Sequence, residues 1–134
     1  MRGTGVDHLD LVVSDLERSL NFYRQLLEPL GYLCASDIVG ERGERVVYLG
    51  GPRVVSVSLR QVQTSGGYDR YRVGIHHLAF EAPSREIVDE RLRWVRQQGL
   101  EVENDPKEYH YRPGYYAGFF YDPDGIKLEV VHVP

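Results

Sequence analysis

The segment Val6-Asp-His-Leu-Asp-Leu-Val-Val has a counterpart in the second half of the chain, Gly74-Ile-His-His-Leu-Ala-Phe-Glu, and the residues after each copy are laid out on the same plan. Both segments alternate apolar and polar residues at the period of a half-buried strand. After the first, Ser14-Asp15 caps a helix carrying Leu16, Leu20, Phe22, Tyr23, Leu26 and Leu27, which ends near Pro29 and Gly31. Extended runs are then expected at Tyr32–Val39, Arg45–Leu49 and Arg53–Val62, separated by glycine-rich turns. After the second, Ser84 caps a helix over Ile87, Val88, Leu92, Trp94 and Val95 that stops at Gly99. Strands are expected at Leu100–Glu103, Tyr115–Tyr121 and Gly125–Val133, the last two joined by Tyr121-Asp-Pro-Asp-Gly. Each half is thus β-α-β-β-β. The chain is an α+β protein of two such modules in one domain spanning 1–134, with module 1 at about 5–63, a linker at about 64–72 containing Gly66-Gly67, and module 2 at about 73–134.

Strand alternation assigns the polar residues to faces. In the first strand Leu9, Leu11 and Val13 look toward the helix, while His8, Asp10 and Val12 look away from it. In the second copy Leu78 and Phe80 are helix-facing and His77 and Ala79 are not. In the last strand Ile126, Leu128 and Val130 are helix-facing, and Lys127, Glu129 and Val131 are not. His8, His77 and Glu129 therefore share the face turned away from the helices, and a mixed sheet curved into a cup would bring them together. Two neutral imidazoles and a carboxylate suit Fe, Mn, Zn, Ni or Co as one divalent ion, with positions left for water or substrate. Asp7 and Asp10 can orient an imidazole or serve the surface or the cap. His76 falls on the helix-facing side, in a core or edge role, and His132 lies at the end of the last strand in a structural one.

Composition narrows the remaining choices. A net charge of −4 without a basic patch argues against nucleic acid. The absence of a long apolar run argues against a membrane span or signal peptide, and the single Cys34 fits a reducing cytoplasm. Ten tyrosines, crowded toward 109–121, suit polar-rimmed pockets or interfaces.

These openings, the helix Ser14-Asp15-Leu16-Glu17-Arg18-Ser19 with Phe22-Tyr23, and above all Asp122-Pro-Asp-Gly-Ile-Lys-Leu-Glu129 resemble the glyoxalase / bleomycin-resistance / extradiol-dioxygenase superfamily, the vicinal-oxygen-chelate proteins, over essentially the whole chain. The resemblance implies paired modules cupped around one metal, usually in a homodimer, with His8 and His77 as the first-strand ligands and Glu129 as the closing-strand ligand. It also implies a Glu or Gln on the closing strand of module 1. Here the equivalent residue is Ser58, or failing that Ser56, and neither is a good ligand or base. That departure argues against glyoxalase or epimerase chemistry.

The expected function is metal-dependent chemistry of a dioxygenase or lyase kind on a small substrate that chelates through vicinal oxygens. The alternative is a binding or resistance protein that uses the same cup to sequester a drug or metabolite; an isomerase or thiol transferase ranks lower. The loop Tyr109-His-Tyr-Arg-Pro-Gly-Tyr-Tyr116 supplies candidate catalytic residues in His110, an imidazole suited to proton transfer near neutral pH, and Tyr115. Candidate substrate contacts are Ser58, Arg60, Tyr109, Tyr111 and Arg112.

Overall fold

The computed structural model describes residues 5–134, which divide into two compact units meeting between Ser65 and Gly66. Module 1 contains β1 (His8–Val13), α1 (Leu16–Leu27), β2 (Cys34–Val39), β3 (Arg45–Gly50) and β4 (Ser56–Gln61). Module 2 contains β5 (Leu78–Glu81), α2 (Arg85–Gln97), β6 (Val102–Glu108), β7 (Tyr116–Tyr121) and β8 (Lys127–His132). Each module folds into one four-stranded mixed sheet, in the orders β1-β4-β3-β2 and β5-β8-β7-β6. In both, the first strand lies parallel to the last and the other pairs are antiparallel. The expected β-α-β-β-β order is present twice.

The helices start where the capping residues predict. The Asp15 carboxylate accepts the Arg18 N–H at 3.1 Å and the Ser84 hydroxyl accepts the Ile87 N–H at 3.2 Å. After α1, a 3₁₀ turn at Glu28–Leu30 leads into Gly31, whose φ of 103° favours glycine. Leu16, Leu20, Phe22, Tyr23, Leu26 and Leu27 are all buried, and the sheet beneath them offers Leu11, Val13, Val47, Leu49, Val57 and Leu59. In module 2 the corresponding layer is Val88, Leu92 and Val95 over Phe80, Phe120, Leu128 and Val130. At about 1.5–3 kcal/mol per fully buried aliphatic or aromatic side chain, these layers hold each helix on its sheet. Trp94, expected on the buried stripe, is only half-buried.

Most strands start or end one to three residues from the expected bounds, β4 at Ser56 rather than Arg53 among them, and the two largest differences fall in module 2. β6 runs to Glu108 rather than ending at Glu103, through Asn104-Asp105-Pro106. A proline is tolerated there because β6 is an edge strand with two register shifts against β7, so the missing N–H breaks no regular ladder. β5 begins at Leu78, one residue after His77, because its ladder starts with Leu78 opposite Leu128, just beyond the turn that precedes β8. The Asp122 carboxylate builds that turn, accepting the N–H groups of Asp124 and Ile126 at 2.8 and 2.9 Å. Gly125 completes it with a φ of 82°. The Asp-Pro-Asp-Gly motif therefore positions the start of β8, and with it Glu129.

Gly118 on β7 is set directly beneath α2, where a Cβ would come within 2.6 Å of Leu92 Cγ. Leu92 is itself 2% exposed and has little room to yield. Gly118→Val should cost about 1–3 kcal/mol of stability by overpacking, and adding Leu92→Ala should recover part of the loss. Urea denaturation of the single and double variants measures both effects.

Candidate metal centre

In module 1, His8, Asp10 and Val12 lie on the face of β1 turned away from α1, as alternation requires. The His8 ring is about half exposed, and its Nδ1 is 2.9 Å from Asp7 Oδ1. A neutral imidazole that donates from Nδ1 keeps its Nε2 lone pair for a cation, so Asp7 fixes the tautomer a metal ligand needs. The Tyr48 ring stands 5.9 Å from that of His8. Next along the same face, the Ser58 hydroxyl donates to Asp10 Oδ1 and Arg60 Nη2 donates to Asp10 Oδ2 at 3.2 Å. Ser58 is 1% exposed, and Arg60 also reaches Glu41 at 3.3 Å.

In module 2, Glu129 is 2% exposed, although a closing-strand carboxylate would ordinarily face solvent. An ionised carboxylate so placed needs donors or a compensating charge. The Tyr115 hydroxyl donates to Oε2, and His77 Nε2 lies 3.2 Å from Oε1. Both carboxylate oxygens are thus engaged beside a small apolar cluster of Ala117, Phe119 and Val131, against which Tyr109 and Tyr115 pack. Burial first, and the bond to Glu129 second, push the Tyr115 hydroxyl well above the ordinary tyrosine range. Because that hydroxyl spends its proton on Glu129, its first task is to hold the carboxylate.

The other side of His77 meets a residue that sequence reasoning had turned toward the core. His76 is exposed, and its Nδ1 is 2.9 Å from His77 Nδ1. One of these nitrogens must carry the proton and the other must accept it. With the proton on His77 Nε2 the ring donates to Glu129 and accepts from His76; with the proton on Nδ1 it donates to His76, and its Nε2 lone pair faces Glu129 ready for a cation between them. Partial desolvation, followed by the charges of His77, Lys127 and Arg70, holds His76 below the usual imidazole range, which favours a neutral ring. Close by, Glu103 receives Lys127 Nζ at 2.7 Å and the Tyr121 hydroxyl at 2.5 Å, and Arg70 donates to the Tyr121 hydroxyl at 2.7 Å. Nothing in the sequence periodicity announced this network, since Arg70 comes from the segment read as linker. His132, as expected, is structural: its Nδ1 lies 3.0 Å from the Ala82 carbonyl.

The remaining candidates divide within the loop. Tyr109 and Tyr111 stack at 5.3 Å with 3° between their planes, and the Tyr115 ring meets the Tyr111 ring edge-on at 5.2 Å. The Arg112 guanidinium lies 5.6 Å over Tyr115. His110 is exposed at the tip, and no hydrogen bond, ion pair or ring contact among the described residues joins it to His77, Glu129 or Tyr115. Among the described residues, no three His, Cys, Asp or Glu side chains form a ready group for an ion.

The 3.2 Å between His77 Nε2 and Glu129 Oε1 fits a metal pair as well as a hydrogen bond. Two donors each about 2.1 Å from one ion and at right angles to each other stand about 3 Å apart. The donor chemistry therefore suits a borderline divalent cation.

Over residues 5–130 the sequence matches the Glyoxalase/Bleomycin resistance protein/Dioxygenase superfamily, and the chain belongs to that family. It is 36% identical over 129 residues to the uncharacterised protein YqjT of Bacillus subtilis, covering 92% of this chain and 95% of that one. Among solved structures it is similar to a glyoxylase/bleomycin resistance protein/dioxygenase domain from Frankia sp. EAN1pec, with TM-score 0.79, 25% identity and coverage of 99% and 94%. It also shares its fold with FosX, a fosfomycin resistance protein of Listeria monocytogenes, with TM-score 0.67, 18% identity and coverage of 99% and 96%.

Raising a tyrosine pKa on folding stabilises the protein fully below the unfolded value, near 10, and that contribution is lost as pH rises toward the folded value. Stability should therefore fall above about pH 10. Tyr115→Phe, which removes one such group, should make the fall shallower. Urea midpoints between about pH 8 and 11 test this, and an unchanged slope would contradict the buried bond to Glu129.

Proposed function

We propose that the protein holds one divalent cation per chain through His8, His77 and Glu129, and acts on a small substrate that chelates the ion through two adjacent oxygens. The observation that carries this reading is a carboxylate 2% exposed whose partners are a tyrosine hydroxyl and an imidazole nitrogen 3.2 Å away. The imidazole that faces this carboxylate is itself held through Nδ1 by the neighbouring His76, the arrangement of a positioned ligand. The Asp7 bond that fixes His8 supports the same reading from module 1. When bound, Fe, Mn, Zn, Ni or Co would supply Lewis-acid stabilisation of negative charge developing on a substrate oxygen.

The chain's own residues have distinct tasks in this account. Tyr115 orients Glu129, and Asp7 and His76 set the tautomers of their neighbouring imidazoles. The stacked rings of Tyr109 and Tyr111 offer an aromatic edge for a planar substrate, with Arg112 nearby for an anionic group. With Ser58 on β4, module 1 has no closing-strand Glu or Gln to take a substrate proton, and a dioxygenase or lyase reaction fits better than an isomerase. Both modules are proposed to work as one domain within a homodimer, as is frequent among such proteins.

Protein purified without chelator should contain about one divalent ion per chain by elemental analysis, and His77→Ala should contain almost none. A His77→Ala variant with full metal content would contradict the ligand assignment. Metal-free protein that still binds catechol as tightly as loaded protein would favour sequestration.

A further inference from the structure

The two parallel ladders can be compared residue by residue. In module 2, Ala79 follows His77 by two positions and stands opposite Glu129. In module 1, Asp10 follows His8 by two positions and stands opposite Ser58. Ser58 is thus the register equivalent of Glu129, and Asp10 that of Ala79. One module pairs a small residue on its first strand with a carboxylate on its last, and the other pairs a carboxylate on its first strand with a small residue on its last. The acid has changed strands while staying at the same rung of the ladder and on the same face.

The surroundings of Asp10 are built for a fixed carboxylate. The buried Ser58 hydroxyl donates to Oδ1 and the Arg60 guanidinium donates to Oδ2 at 3.2 Å. Each oxygen retains a second lone pair. The Asp10 side chain is 39% exposed whereas Ser58 is 1% exposed, so the carboxylate is the accessible group of the pair. Strand alternation sets it beside His8 on one face, a spacing at which two side chains can address one ion.

We infer that Asp10 takes over the ligand part, and not the proton-taking part, of the missing closing-strand carboxylate in module 1 and serves as a donor to the cation that His8 holds, with Ser58 and Arg60 as its positioning residues. This inference rests on the metal reading above. It removes the apparent defect at Ser58: the module keeps its acid, supplied from β1 instead of β4.

Titration of metal-free protein with Co²⁺ against a chelating indicator, together with the visible absorption of bound Co²⁺, tests it. Asp10→Asn keeps an acceptor for Ser58 and should weaken Co²⁺ binding about 10- to 100-fold and change the absorption bands. Asp10→Ala/Ser58→Glu, which copies the Ala79/Glu129 arrangement, should restore affinity to within about threefold of the original, whereas Asp10→Ala alone should not. Wild-type affinity and bands in Asp10→Asn, or a double variant as weak as Asp10→Ala, would overturn the inference. His8→Ala separates the two claims. If it leaves Co²⁺ binding intact, the metal reading itself fails; if it abolishes binding while Asp10→Asn does not, only the role of Asp10 fails.

Discussion

Parallel pairing of the first strand of each module with its last sets the register on which the candidate chemistry depends. Because side chains alternate, a ladder shifted by one residue would turn Glu129 toward α2 and Leu128 away from it. The apolar layer prevents that slip. Leu128 and Val130 are fully buried beneath α2, as Leu59 and Val57 are beneath α1. The energy that fixes the face of each polar residue is therefore the hydrophobic burial on the opposite side of the same strand.

Given that register, the polar side of each sheet is a problem of satisfying hydrogen bonds away from bulk water. Glu129 engages Tyr115 and His77; Asp10 engages Ser58 and Arg60. Each candidate imidazole is held through Nδ1 by its preceding residue, Asp7 for His8 and His76 for His77. The two modules thus reach a similar chemical result with different residues, and the duplication is one of geometry more than of sequence.

Much of this was legible in the sequence because it rests on local rules. The repeat, both helix caps, the facing of His8 and Glu129 and the Asp122–Gly125 turn all stem from periodicity and short-range hydrogen bonding. The features that escaped depend on pairing across strands or on distant segments. His76 was assigned inward by alternation, yet β5 begins only at Leu78, so alternation did not apply to it. The strand expected to end at Glu103 runs on through Pro106 to Glu108, because an irregular edge accommodates the proline. Asp10 was one of two candidate supporting groups, with Asp7, until its rung opposite Ser58 was known, and Arg70 could not be linked to Glu103 without the fold.

Anomalous diffraction at the cobalt edge, from crystals grown with Co²⁺, asks most directly whether one cation unites these residues. The account predicts a single strong peak per chain at about 2.0–2.2 Å from His8 Nε2, His77 Nε2 and a Glu129 oxygen. A peak that leaves out either imidazole, or no peak at Glu129, would contradict it.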